Sequence, residues 1–211
     1  MDLRRRRLLT LCGAAGVAAV AAACGGGNSA GRSSGTSTAS GAARMPSVAA
    51  PDAAGSMWLY LAILTGKMVG QSGWPEFVPA NFTVPGNTAV QAEIRCFDDG
   101  TASIPSGYEV VRGTVGGNMT LISAVNGDLS KSPARTVQSV NAAGVAHTLT
   151  FADTGMNIPI PPLSTVRFSF FSGNAGTHPW QCMAACSTGQ GGWGGAMSTS
   201  GWMSGTMTVQ A

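Results

Sequence analysis

The stretch GTHPWQCMAACSTGQGGWGGAMSTSGWMSGTMTV, from Gly176 to Val209, gathers soft donor side chains. Cys182 and Cys186 stand four residues apart, His178 precedes them, and Met197 and Met203 follow across a Gly-rich run. Thiolates and thioethers prefer soft metals such as Cu(I), and imidazole serves both oxidation states of copper. The same two cysteines suit a disulfide, because four residues across a turn can bring the two side chains within bridging range in an oxidising compartment. His147 is the other histidine of the chain, and Cys96 is the remaining cysteine beyond residue 24.

The N-terminus points to such a compartment. Arg4 to Arg7 form a charged head, Leu8 to Ala23 a short apolar core, and Cys24 follows three alanines. This is the layout of a secretory signal, and the apolar core is too short and too rich in Ala and Gly for a membrane-spanning helix. Small residues before a cysteine resemble a bacterial lipobox, in which the cysteine is lipidated and becomes the new N-terminus. The expected organisation is a signal peptide over 1–23, lipidated Cys24 with a Gly/Ala/Ser linker over 24–55, and one domain over 56–211. The linker contains almost nothing large and apolar that could offset the entropy of ordering. The chain has 12 basic and 9 acidic residues. Four of the basic residues and Asp2 leave with the signal, so the remainder is near neutral. No basic face is left to attract nucleic acid. Cys96, Cys182 and Cys186 remain, and an odd number means at least one thiol that is free, metal-bound or paired between chains.

The domain reads as strands. MWLYLAIL (57–64) is a short apolar run. NFTVPGNTAVQAEIRCF (81–97) turns at Pro85–Gly86–Asn87, and Val90, Ala92, Ile94 and Cys96 then share one face. AHTLTF (146–151), TVRFSFF (165–171) and GTMTV (205–209) complete the set, while region 99–144 reads as a hairpin insertion or a long mobile loop. No segment beyond the signal holds a helical apolar period. The class is all-β, a two-sheet sandwich with Greek-key connections. Paired carboxylates and nucleophile motifs are absent from the sequence, and the Gly-rich run 189–195 lacks the context of a phosphate loop, reading instead as a flexible rim over the cysteine loop.

Four stretches in order resemble the cupredoxins: VPANFTVPGNTAVQAEIRCFDD their opening strands, VAHTLTF the strand carrying their first histidine ligand, GTHPWQC the strand delivering the cysteine, and GWMSGTMTV the closing strand with its axial methionine. The Cys-x-x-x-Cys spacing also resembles the binuclear copper site of cytochrome c oxidase subunit II. The resemblance implies copper as cofactor. Its ligands would be His147, Cys182 and Met203, with Cys186 in the place of a second bridging thiolate. The family's second histidine is missing: Ser200 stands three residues before Met203, Gln190 four after Cys186, and no histidine lies between Cys186 and Met203. His178 would lie more than about 10 Å along the strand from Cys182, at roughly 3.3 Å per residue, too far to share one metal. Cys96 is a partner for Cys182 or Cys186, or a buried thiol.

Two functions follow. One is a copper protein held to the outer face of the membrane through Cys24, passing single electrons to a redox partner or delivering copper to a respiratory oxidase, and thus an electron-transfer or copper-binding protein rather than a catalyst. The other is a metal-free binding module closed by a Cys182–Cys186 disulfide, with Trp193 and Trp202 exposed to a partner protein.

Overall fold

Alternation of side chains sets the strands. The computed structural model describes residues 56–124, 128 and 132–211. The expectations for the signal, lipidated Cys24 and the linker lie outside these residues. In β1 (Met57–Leu64) Leu59, Leu61 and Ile63 are buried, while Trp58 and Tyr60 face solvent. β4 (Ala89–Cys96) buries Val90, Ala92, Ile94 and Cys96 on one face, as its period-two pattern requires. β9 (Ser164–Phe171) pairs antiparallel with β4 along its whole length. With β2 (Glu76–Val78), β5 (Met119–Ser123) and β6 (Arg135–Val137) these form a six-stranded sheet in the order β2-β1-β4-β9-β5-β6. A second sheet has the order β3-β11-β10-β7-β8, from β3 (Asn81–Pro85), β7 (His147–Phe151), β8 (Met156–Ile160), β10 (Gly176–Gln181) and β11 (Ser204–Gln210). Apolar residues of both sheets form one core, with Ile94, Val166 and Phe170 from the first and Val84, Leu149, Phe151 and Ile158 from the second. The result is the expected two-sheet β-sandwich.

The turn at 85–87 forms where the Pro-Gly-Asn signal places it. Asn87 takes a φ of 50°, and its N–H donates to Gly173 O at 2.6 Å. The described residues of region 99–144 contain the antiparallel pair β5–β6, which joins the sheet edge through β9, and an irregular segment tied to β8. The segment is held by Asn157, whose Nδ2 donates to Tyr108 O at 2.9 Å and Val110 O at 2.8 Å. Thr150 Oγ1 donates to Asn157 Oδ1 at 2.8 Å. Every residue of β7 and β8 is buried.

Three core-facing rows run out at one end of the sandwich. Val90, Ala92, Ile94 and Cys96 form the first. Phe151, Leu149 and His147 form the second. Trp180 leads to Cys182 just past β10 in the third. Each ends on a residue with metal-binding chemistry, and all three terminal residues are buried.

On the outer face of the first sheet, Glu93 is 3% exposed and lies between two arginines. Arg95 Nε donates to its Oε1 and Arg167 Nε to its Oε2, both at 2.7 Å. Burial alone would raise the Glu93 pKa; the two arginines outweigh it and hold the carboxyl below its ordinary value of 4.5. A depressed folded-state pKa contributes stability that is complete above the unfolded value and is lost as pH falls through the folded one. Glu93→Gln should therefore lower stability at pH 7 by about 1–3 kcal/mol, because charged hydrogen bonds are lost. In urea denaturation the gap to wild type should narrow below about pH 4; a gap that is the same at pH 7 and pH 3 would show that the carboxylate charge is not what stabilises.

Candidate metal centre

His147, at the start of β7, is fully buried. Its Nε2 lies 3.0 Å from Asp98 Oδ2. An ionised carboxylate can only accept, so Nε2 carries the proton. The other ring nitrogen, Nδ1, is buried and has no hydrogen-bond partner. A buried polar atom left unpaired costs about 1–3 kcal/mol, so this atom calls for an occupant. A ring nitrogen of His147 and the sulfurs of Cys182 and Cys186 lie within 4.8 Å of one another, the geometry of a site for a metal ion.

The sulfurs are 3.7 Å apart, and the three cysteines of the domain are all free. Two sulfurs each roughly 2.3 Å from a tetrahedral metal would be about 3.75 Å apart, so the observed spacing fits such a pair without rearrangement. Cys182 sits where the backbone favours a thiolate: Thr148 N–H donates to its Sγ at 3.3 Å and Ala184 N–H at 3.4 Å. Burial opposes charge on Cys182, but the Cys186 thiol, His147 and the Thr148 N–H together hold its pKa well below the usual thiol value. Cys186 moves the other way: the neighbouring Cys182 and then burial push its thiol up. The two opposite directions make Cys182 the more acidic thiol of the pair. His147 is also shifted. Burial disfavours its cation, yet Asp98, with Cys182 and Cys96 beside the ring, raises its pKa well above 6.5. A carboxylate on one ring nitrogen with the other nitrogen free is how histidine ligands are oriented in metal sites.

The loop after β10 is built to present these groups. Met183 N–H donates to Thr148 Oγ1 at 2.7 Å, and Ser187 N–H to Gly192 O at 3.0 Å. Ser187 Oγ accepts from Ala196 N at 3.0 Å and donates to Gly73 O at 3.1 Å. Gly192 has a φ of 82°, and a Cβ there would collide with Ala185 O. The Gly-rich run is therefore folded closely onto the cysteine loop through two short 3-10 turns, where a flexible rim was expected.

Met203 is fully buried and tied to the site through its main chain: Cys182 N–H donates to Met203 O at 2.9 Å, and Met203 N–H to Ala196 O at 3.4 Å. Met197 brings its thioether to the cluster, with Sδ 3.4 Å from Cys186 Sγ. Cys96 is a buried free thiol whose Sγ is 3.7 Å from Asp98 O. His178 turns to Asp153, with Nδ1 2.7 Å from Oδ2. Trp193 is exposed, but Trp202 is half-buried and packs edge-on against Trp74 at 5.1 Å, so the pair does not form one exposed aromatic patch. Asp98 and Thr148 are the site residues the sequence did not announce. Asp98 lies 49 positions from His147, and the only signal is its place just after a strand that ends on Cys96.

No family model matches the chain, and no curated protein matches it. Among solved structures the chain is similar to auracyanin A, titled a "blue" copper protein, from Chloroflexus aurantiacus. The identity is 12%, covering 74% of this chain and 100% of that one, with a TM-score of 0.35. It is similar to dithionite-reduced auracyanin from Roseiflexus castenholzii at 14% identity, over 74% of this chain and 99% of that one, TM-score 0.34. It is also similar to a multicopper oxidase from Campylobacter jejuni at 9% identity, over 78% of this chain and 32% of that one, TM-score 0.39. The functional reading rests on this chain's own residues.

If Asp98 holds His147 in its protonated and oriented form, Asp98→Asn should lower the pH at which the His147 ring titrates, since burial then acts against a weaker partner. The imidazole Cε1–H resonance in the metal-free protein reports this directly. An unchanged titration would remove Asp98 from the site.

Proposed function

We propose that this chain is an extracytoplasmic copper-binding protein in which His147, Cys182 and Cys186 hold copper. The observation that carries the reading is the convergence of one imidazole and two thiols on a buried spot where His147 Nδ1 has no partner. The donor chemistry fits. Thiolates with one imidazole would also suit zinc, but the buried thioether of Met197, 3.4 Å from Cys186 Sγ, favours Cu(I). Copper so bound supplies reversible one-electron chemistry. The protein's part is to keep the Cys182 thiolate and the His147 lone pair oriented, and to exclude water from both. Cys186, the half-buried donor, is the side from which copper or an electron would arrive.

Copper-loaded, the protein would pass single electrons to a redox partner or deliver copper to a respiratory oxidase. Lipid on Cys24 would hold it at the outer face of the cytoplasmic membrane. A finer reading follows the likeness to oxidase subunit II, with Cys182 and Cys186 bridging two copper ions. The single imidazole favours one ion, because Cu(II) asks for more nitrogen donors. The close approach of the two sulfurs also supports a second reading, a module stiffened by a Cys182–Cys186 disulfide and free of metal.

Reduced protein loaded anaerobically with Cu(I) should retain copper through removal of the excess, and Cys182→Ser should lose it. On oxidation a sulfur-to-copper absorption band marks a redox centre, and its absence with copper retained marks a Cu(I) carrier. No retained copper, with Cys182 and Cys186 linked in peptides of the untreated protein, would overturn the metal reading in favour of the disulfide module.

A further inference from the structure

We infer that Met197, in the loop turn, is the fourth metal donor and the residue that selects Cu(I) over Zn(II) at this site. The inference rests on the copper reading above. Met197 lies in the short turn Gly195–Ser198 and is 4% exposed. Its Sδ is 3.4 Å from Cys186 Sγ, and Cys186 Sγ is 3.7 Å from Cys182 Sγ. Both spacings are close to the roughly 3.75 Å edge of a tetrahedron with 2.3 Å metal–sulfur bonds. With His147 the set becomes one nitrogen and three sulfurs, enough to close a tetrahedral site.

The loop is folded to deliver this thioether. Met197 N–H donates to Gly194 O at 3.2 Å, and the preceding Ala196 N–H is held by Ser187 Oγ. Gly195 has a φ of 55°, and a Cβ there would collide with Thr188 Oγ1. The length and glycine content of the segment between Cys186 and Met203 thereby acquire a purpose, which is to fold Met197 back over Cys186. Met203, the position matching the axial methionine of the cupredoxins, is fully buried, and its carbonyl accepts from Cys182 N–H.

A thioether is a soft, uncharged donor that binds Cu(I) and contributes little to Zn(II), which takes thiolate, imidazole and carboxylate. Two thiolates and an imidazole alone would accept either metal, so the thioether supplies the discrimination.

The test compares wild type, Met197→Leu and Met203→Leu, since Met-to-Leu exchange conserves volume and is well tolerated in cores. Cu(I) affinity is measured by competition with a chromophoric Cu(I) chelator, and Zn(II) affinity with a zinc indicator. Met197→Leu should weaken Cu(I) by about tenfold or more, the scale at which ligand-sphere changes act, and leave Zn(II) unchanged. Met203→Leu should leave both unchanged. A second readout uses selenomethionine-labelled protein and X-ray absorption at the copper edge. Copper–selenium scattering should persist in Met203→Leu and vanish in Met197→Leu. If wild type holds Cu(I) but Met197→Leu binds it equally well, or the loss follows Met203→Leu, the inference about Met197 is wrong and the copper reading stands. If wild type retains no Cu(I), both are wrong.

Discussion

The hydrogen bond from His147 to Asp98 is the constraint around which this end of the molecule is arranged. A neutral imidazole has one donor and one acceptor. Once Nε2 is committed to a carboxylate, Nδ1 must look inward, toward the cysteine loop. Asp98 is able to play this part because it follows directly on β4, whose inner row ends at Cys96, and because its side chain keeps some contact with solvent. His147 is the last member of the inner row of β7. The two sheets therefore meet the site from opposite sides, one bringing the carboxylate and the other the imidazole.

Around that bond the polar groups are organised in a way a purely structural end-cap would not need. Cys182 receives two backbone N–H groups and lies against a cationic-prone ring, so the domain stabilises negative charge on a buried sulfur. Buried charge is costly unless paired, and negative charge on Cys182 has the His147 ring beside it. A metal ion would compete with protons for these donors, which is why metal binding at such a site releases protons and tightens as pH rises.

Much of this was legible in the sequence, and what was not has physical reasons. The alternation in 57–64 and 89–96 placed β1 and β4, and the Pro-Gly-Asn turn placed the break between β3 and β4. β8 was not foreseen, since MNIPI is short, carries a proline and is buried on both faces, which removes the period-two signal. The irregular segment within 99–144 is tied to β8 by the Arg112–Asn157 main-chain pair and by the Asn157 side chain reaching two carbonyls nearly fifty positions away. His147, Cys182 and Cys186 could be grouped from their types and order. Asp98 could not, because nothing local ties a surface-looking aspartate to a histidine in the other sheet. Met197 and Met203 are alike in sequence; their different placements depend on how Gly192 and Gly195 turn the loop, which is a matter of backbone conformation and close packing.

The most direct measurement is a crystal structure of the reduced, Cu(I)-treated protein with anomalous data on both sides of the copper edge. The site described here predicts a copper peak bounded by His147 Nδ1 and the sulfurs of Cys182 and Cys186, with the Asp98–His147 hydrogen bond intact. A peak elsewhere, or none together with a Cys182–Cys186 disulfide, would contradict it.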